Sequence, residues 1–413
     1  MRFAAAIVLG GALAAPVAGL ADELVVHFAS PWQIALHQPI ADAYMAHNPD
    51  VTVTLRPPSQ NYEDGAQTIV RQSIAGQLPD VTFAGLSRVR TLAERDIPVP
   101  LDGYLGSLEA AVDMGYEPAI LDIGRVDDNL YAIPFAISTP VAFFNRSLVE
   151  QAGGDPDALP DNWDDILELA ANIDALGDDI DGMWHRIGPD DWMAQTLIYS
   201  TGSPIMTPDE SDIAFDNEAG LYAARMVERF REEGGRRPIP EDAARQQFVA
   251  GQLGMFFGTT NLVKRFEEQI GDRFTFGTAP YPLEDRAAGG VPVGGNAAVM
   301  LTRDPDQQPL AWDYIQFATG PQGQEIVVLN SGYMAANRLA LDPQFLGAFY
   351  DENPNWRTSV TQLPIARPWF AWPGDNGVRI TQTLGSGFER IAQGEPADAT
   401  FADTVAEIRS MLP

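Results

Sequence analysis

Four short segments of the chain place aromatic rings next to planar polar groups. They are Ser30–Gln33 (SPWQ), Gln60–Glu63 (QNYE), Asp190–Trp192 (DDW) and Arg367–Trp372 (RPWFAW). Aromatic faces cover the C–H side of a polyhydroxylated ring at low conformational cost, while Asp, Asn, Gln and Arg hydrogen-bond its hydroxyl groups. We therefore expect contacts to a small polar ligand at Trp32, Gln33, Tyr62, Asp191 and Trp192. The alternative is that the aromatic rings only close a hydrophobic core.

Three further positions could bring charge or backbone groups to such a ligand. The guanidinium of Arg367 could hold an anionic group or two adjacent hydroxyls, and a salt bridge to one of the 57 acidic residues is the alternative. Gly295, in a Gly-Gly pair, permits close backbone approach, or simply makes a turn. Gly258 precedes a helix start whose N–H groups could face an anion, or the segment is an ordinary cap.

Sequence patterns of several common enzyme classes are missing. The chain has no G-x-S-x-G elbow, no H-E-x-x-H metal helix and no Cys, and its four His are dispersed. We therefore expect a binding protein without enzymatic activity, metal or cofactor. The paired carboxylates of a glycosidase leave no such pattern, so an exported carbohydrate-active hydrolase is the alternative from another functional class.

Composition and the N-terminus indicate an exported protein. Met1-Arg2, a short apolar run and Gly19-Leu20-Ala21 form the pattern of a secretory signal peptide over residues 1–21, with cleavage before Asp22. The absence of Cys excludes a lipid-modified N-terminal Cys, so we expect a soluble protein of the bacterial periplasm. The net charge of −31 repels phosphate backbones and anionic membranes, which disfavours nucleic-acid binding.

Apolar runs alternate with helical patterns along the mature chain, which is typical of an α/β fold with largely parallel sheets. The opening reads β-α-β-α-β, with strands predicted at residues 24–29, 51–55 and 80–83. The length favours two domains. We predict two doubly wound lobes joined by a hinge. The N-terminal lobe comprises residues 22–135 plus 297–340, and the C-terminal lobe residues 136–296 plus 341–413.

An ordered set of motifs resembles the extracellular solute-binding proteins of ABC importers, in the branch of maltose-type and glycerol-3-phosphate-binding proteins. The matching segments are Phe28–Trp32, Asn61–Glu63 followed by G-Q-L-P-D-V, Tyr131–Phe135, Trp163–Asp165, and Asn330–Ala336. Ala335 replaces the Pro that is usual in the last of these. The resemblance spans nearly the whole mature chain and implies a type II periplasmic-binding-protein fold that acts as a monomer with a membrane permease.

Within that branch, the glycerol-3-phosphate type is the most similar. Its site carries over to Tyr62, Ser138, Gly295, Tyr333 and Arg367. The family's second-lobe pair of Trp is reduced here to Trp192, and the small Ala84-Gly85 replaces an acidic residue. These departures favour a bulkier sugar, with or without an anionic group, over glycerol 3-phosphate or a glycerophosphodiester, which remain the alternative ligands.

Overall fold

The computed structural model describes residues 22–413, and the predicted signal peptide lies outside the described residues. Within this range the strands form a six-stranded, a four-stranded and a two-stranded sheet. The strands are β1 (Asp22–Phe28), β2 (Val51–Leu55), β3 (Val81–Gly85), β4 (Arg125–Val126), β5 (Asn129–Leu130), β6 (Ile133–Ser138), β7 (Pro140–Asn145), β8 (Asp181–His185), β9 (Leu253–Thr259), β10 (Phe276–Pro280), β11 (Val291–Met300) and β12 (Ala366–Pro368).

Helices cover the two larger sheets. The α-helices are α1 (Ile34–His47), α2 (Tyr62–Ala75), α3 (Val89–Ala93), α4 (Asp102–Leu105), α5 (Leu108–Asp113), α6 (Pro118–Asp122), α7 (Arg146–Gln151), α8 (Trp163–Asp174), α9 (Trp192–Ser200), α10 (Glu218–Glu232), α11 (Glu241–Ala250), α12 (Val263–Ile270), α13 (Gln308–Thr319), α14 (Pro321–Ser331), α15 (Gly347–Glu352), α16 (Pro354–Thr361), α17 (Gly377–Ala392) and α18 (Ala397–Arg409).

The first lobe is built on the six-stranded sheet, whose order is β12-β11-β3-β1-β2 with β6 also paired to β11. Strand β1 is parallel to β2 and β3, whereas β11 is antiparallel to β3 and β6. The apolar, β-branched sequences of these strands suit a sheet that is covered by helices. The predicted β-α-β-α-β opening is confirmed, and with it the α/β class.

The second lobe is built on the four-stranded sheet, of order β10-β7-β9-β8. Its strands are buried along most of their length, and Phe143, Phe256 and Phe266 pack edge to face between the sheet and α12. Each aromatic residue buries a large apolar area, so this cluster contributes several kcal/mol to stability at roughly 25 cal/mol per Å². The prediction of two doubly wound lobes is confirmed by this arrangement and by the structural similarities described below.

The chain passes from the first sheet to the second at Thr139, between β6 and β7. The predicted boundary at residue 135 lies inside β6, because Ser138 still pairs with Gly294 of β11. Strand β12 also departs from the predicted division: Ala366 pairs with Val291, which attaches this short strand to the first sheet although residues 341–413 were assigned to the second lobe.

Buried polar groups surround this passage between the lobes. The Thr139 hydroxyl contacts the Ser359 hydroxyl at 2.9 Å and accepts a hydrogen bond from Gln362 Nε2 at 2.8 Å. The Thr260 hydroxyl donates to the Thr139 carbonyl at 2.8 Å. Buried polar groups are stable only when hydrogen-bonded, so this network holds the linking segment in one geometry.

No helix among residues 22–413 is long and apolar enough to cross a membrane. The same part of the chain brings together no group of three or more His, Cys, Asp or Glu side chains suited to hold a metal ion.

Candidate ligand-binding cleft

A cavity of about 540 Å³ opens between the two lobes. Such a volume lies within the roughly 300–1,000 Å³ range of small-molecule sites. Its walls combine aromatic rings, amides, hydroxyls and charged groups from both lobes: Trp32, Ala35, Ser138, Arg186, Asp190, Trp192, Glu241, Arg245, Thr259, Asn261, Leu262, Arg265, Gly294, Gly295, Asn330, Ser331, Tyr333 and Trp369.

Two aromatic rings form the first-lobe wall of this cleft. Trp32 lies in a 3-10 turn before α1, and Tyr333 follows the Gly332 cap of α14. Their rings stack with centroids 5.8 Å apart and planes inclined by 16°. Trp32 is 47% exposed, an unusual state for so large an apolar side chain in the absence of a partner. An exposed indole fixed by stacking is suited to cover a sugar ring.

Two further indoles face the cavity from the other side. Trp192 is the first residue of α9, and its Nε1 donates to the Pro292 carbonyl at 3.2 Å. A Cβ atom at Gly294 would lie only 3.1 Å from this indole, so the glycine allows the ring to approach β11. Trp369 follows β12 and completes this wall.

Asp191, predicted to contact the ligand, is instead buried behind the aromatic wall. Its side chain accepts hydrogen bonds from the indole nitrogens of Trp369 and Trp372, each at 2.8 Å, and from Gln195 Nε2 at 2.9 Å. Burial raises the pKa of Asp191 to about 6, although these donors oppose the shift. The carboxylate therefore holds Trp369 against the cavity, and its own oxygens are already occupied.

Gln33 and Tyr62 likewise lie behind the lining. Gln33 is fully buried; its Oε1 accepts from the Ser30 amide at 3.0 Å and its Nε2 donates to the Tyr62 hydroxyl at 3.3 Å. The Tyr62 hydroxyl also accepts from Asn296 Nδ2 at 3.2 Å. Burial and the neighbouring Tyr62 hydroxyl raise the pKa of Tyr333 well above its usual value, so the cavity ring stays neutral.

Ser138 and Gly295 lie in the cavity wall where β6 and β11 pair. The Ser138 hydroxyl accepts from the Thr259 hydroxyl at 3.0 Å. Gly295 has a φ of 118°, and a Cβ atom there would lie 1.9 Å from the Ala136 carbonyl oxygen. Only glycine fits this position, which exposes polar backbone to the cleft.

Arg367 and Gly258 are not among the residues that line the cavity. Arg367 pairs in register with Pro292. Its Nη1 donates to the Ala366 carbonyl at 3.1 Å and its Nη2 to the Ala288 carbonyl at 3.5 Å, so the guanidinium is bound by its own strand and the Ala288 loop. Gly258 is buried in β9, and the cavity begins at the next residue, Thr259. Five of the ten predicted site residues thus line the cavity: Trp32, Ser138, Trp192, Gly295 and Tyr333.

The charged part of the wall was missed by sequence reasoning. Arg186 binds Asp190 through two hydrogen bonds of 3.0 and 2.7 Å and lies 3.4 Å from Glu241. Arg245 binds Glu241 at 2.7 Å. Glu241 and Arg245 are spaced as an ordinary i, i+4 pair on a helix surface, so no local signal distinguishes them from solvated residues.

The comparisons with known proteins agree with this two-lobed arrangement. The family model described as bacterial extracellular solute-binding protein matches residues 29–325. The chain belongs to this family. A putative binding protein of Brucella abortus is similar to this solute-binding protein, with 24% identity over 391 residues that cover 90% of this chain and 89% of the relative.

Solved structures show the same fold. UgpB from Mycobacterium tuberculosis, in complex with glycerophosphocholine, matches with a TM-score of 0.80 and 22% identity over 94% of this chain and 98% of that chain. The sugar-binding protein MalE from Xanthomonas citri matches with a TM-score of 0.81 and 18% identity over 94% and 96% of the two chains.

Proposed function

We propose that this protein is the periplasmic solute-binding component of an ABC importer that captures a carbohydrate or polyol derivative in the cleft between its lobes. The observation that carries the proposal is the lining of the 540 Å³ cavity, where four aromatic rings surround hydroxyl, amide and guanidinium groups. Apolar ring faces and planar hydrogen-bonding groups in one cavity match the two surfaces of a sugar.

Capture follows a hinge mechanism in this proposal. Open lobes sample the closed form, and a ligand that contacts both walls stabilises it. Trp32 and Tyr333 belong to one wall, and Trp192 and Trp369 to the other. A membrane permease then receives the closed, loaded protein, and the ligand passes on chemically unchanged. A monomer is sufficient, since both walls come from one chain.

A glycerophosphodiester or glycerol 3-phosphate is the second candidate ligand. It is favoured by the similarity to the M. tuberculosis protein in complex with glycerophosphocholine and by the arginines in the cavity. A hydrolase is disfavoured because the two carboxylates that line the cavity, Asp190 and Glu241, are both bound by arginine. An acid catalyst needs a carboxyl group free to carry and release a proton.

Thermal unfolding of the protein from Asp22 onward, in the presence of sugars, polyols, sugar acids and glycerol phosphates, tests the proposal. A ligand at one hundred times its dissociation constant adds about 2.7 kcal/mol of stability, a shift of a few degrees. Recovery of the ligand intact supports a binding protein, whereas its cleavage would establish the hydrolase. If a folded protein responds to no member of the panel, the carbohydrate and polyol assignment is wrong.

A further inference from the structure

The cleft carries an arginine that the protein itself leaves uncompensated. Three guanidinium groups and two carboxylates line the cavity. Arg186 is bound by Asp190 and Glu241, and Arg245 by Glu241 with Asp242 at 3.3 Å. Among residues 22–413, no carboxylate lies within ion-pair distance of the third, Arg265, and no hydrogen bond engages its side chain.

The position of Arg265 is fixed by its helix. Val263, Phe266 and Ile270 of α12 are buried in the second-lobe core, so the turn that carries Arg265 cannot shift freely. Its neighbour Lys264 leaves the cavity and donates to the Leu329 carbonyl at 2.6 Å, at the end of α14 in the first lobe. Arg265 therefore stands on a rigid element at the junction of the lobes, with an exposed head at the cavity wall.

This local charge contrasts with that of the whole protein. One guanidinium at the cavity wall, that of Arg265, has no carboxylate partner in the described part of the chain, whereas the chain as a whole has a net charge of −31. An anionic ligand is repelled by the distant surface, but salt screens that repulsion beyond about 8 Å, while a contact with a guanidinium persists. A neutral sugar would leave the positive charge of Arg265 without a counter-charge.

We propose that the ligand of this cleft is a sugar or polyol that bears a single negative charge, which Arg265 holds while the hydroxyl-bearing body lies against the indole rings. The inference rests on the proposed function and narrows its substrate class. One uncompensated guanidinium matches a carboxylate, a sulfonate or a phosphodiester. A dianionic phosphomonoester would leave a second charge without a partner inside a strongly acidic protein.

Two matched series of compounds test this inference by titration of tryptophan fluorescence, checked by calorimetry. One series is glucose, glucuronate and glucose 6-phosphate; the other is glycerol, glycerophosphoglycerol and glycerol 3-phosphate. Each series runs from neutral through monoanion to dianion. The expected result is that the monoanion binds most tightly in at least one series, and the series that responds distinguishes a carboxylate from a phosphodiester.

Two variants test whether Arg265 in the cleft causes the preference for the monoanion. We expect Arg265→Gln to weaken binding of the monoanion at least about tenfold and binding of the neutral compound much less, because a hydrogen bond to a charged group is lost only with the monoanion. Arg379→Gln removes the same charge from an exposed position of α17 outside the cavity and serves as the control. Both side chains are exposed, so thermal midpoints should stay at the wild-type value.

Other outcomes would overturn the inference. Equal or tighter binding of a neutral compound contradicts it and leaves the proposed function intact. A monoanion preference that survives Arg265→Gln, or that Arg379→Gln reduces equally, removes the assignment to Arg265. Silence of all six compounds with a folded protein contradicts the inference, whereas the proposed function is overturned only if the wider thermal-unfolding panel is silent as well.

Discussion

The substitution Asp191→Asn separates the positioning of the cavity wall from the stability of the fold. Trp369 Nε1 bonds one carboxylate oxygen of Asp191, whereas Trp372 Nε1 and Gln195 Nε2 bond the other. Asparagine keeps the shape but converts one oxygen to an NH₂ donor. Whichever oxygen is replaced, at least one indole N–H then faces another donor and loses its partner.

Two opposing terms set the change in the free energy of unfolding. One or two buried indole N–H groups are left without an acceptor, at about 1–3 kcal/mol each. Against this, burial raises the pKa of Asp191 from 3.8 to about 6. The folded state of the wild type therefore loses stability as the pH rises from 3.8 to 6, and at pH 7 it carries a cost of about 3 kcal/mol that the neutral amide removes. The terms nearly cancel, so we expect a change of less than about 2 kcal/mol.

Ligand affinity has no such compensation. With its indole released, Trp369 no longer holds a fixed place in the cavity wall, and we expect affinity to fall about 3- to 10-fold, the worth of one well-placed aromatic contact. Below about pH 6 the wild type should lose affinity in the same way, as Asp191 becomes protonated. Asp191→Asn should abolish that pH dependence.

Two methods measure these effects separately. Denaturant unfolding, followed by tryptophan fluorescence, gives the stability, and calorimetric titration with a ligand found by thermal shift gives the affinity. Trp372→Phe is the control, because it removes an indole N–H that does not line the cavity. It should lower stability without a comparable loss of affinity. Unchanged affinity in Asp191→Asn would refute the positioning role. A loss of stability beyond about 4 kcal/mol would refute the balance of terms.

Three further predictions concern the fold and the hinge. Burial lowers the pKa of His37 and His185 to about 3 and that of His27 to about 4. The unfolded chain therefore binds more protons than the folded protein below pH 6.5, and the free energy of unfolding in urea should fall by about 5 kcal/mol between pH 7 and 5. A free energy of unfolding that does not change over this range contradicts the burial of these histidines in the neutral form. Arg90 binds Glu210 across the lobes with one hydrogen bond of 2.9 Å. Because Arg90→Gln removes this ion pair between the lobes, it should raise the radius of gyration of the ligand-free protein in X-ray scattering, whereas Arg357→Gln, which breaks an ion pair within one lobe, should not. Equal radii for the two variants refute a role of Arg90 in holding the lobes together. Gly295→Ala should cost more than about 3 kcal/mol in denaturant unfolding, whereas Gly103→Ala, with open space around it, should not.

The fold was largely predictable because local and tertiary preferences coincide. Strands β1 and β2 are apolar or β-branched runs, and Gly76, with a φ of 64°, ends α2 between two of the predicted strands. Strand β12 could not be predicted from its own sequence, Ala-Arg-Pro, since it forms only because β11 offers a free edge. The lobe boundary was placed at residue 135, inside β6, because the apolar pattern of this segment does not reveal how far pairing to β11 extends.

The candidate site was predictable where the polar and aromatic residues come close together in the chain. Trp32 was predicted because it stands beside Gln33 in one short segment, whereas Tyr333 was predicted only through the resemblance to the family. The segments that pair aromatic and polar residues also contain Gln33, Tyr62 and Asp191. These three side chains lie behind the cavity lining and hold other side chains in place. Residue type cannot separate these roles, because the same amide or carboxylate serves a ligand or an indole equally well.

In the inference drawn above, the choice of ligand depends on the charged part of the cavity wall, which no sequence motif marks. Trp32 and Tyr333 are carried by segments that resemble the family, and such aromatic rings suit any sugar or polyol. The uncompensated charge comes from Arg265 on α12, a helix that Val263, Phe266 and Ile270 anchor in the second-lobe core. Exchange of an exposed arginine on such a helix costs the fold little, while it changes the charge of the cleft by a full unit. Such an exchange therefore leaves the two-lobed architecture intact while it alters the charge that the cleft offers to a ligand.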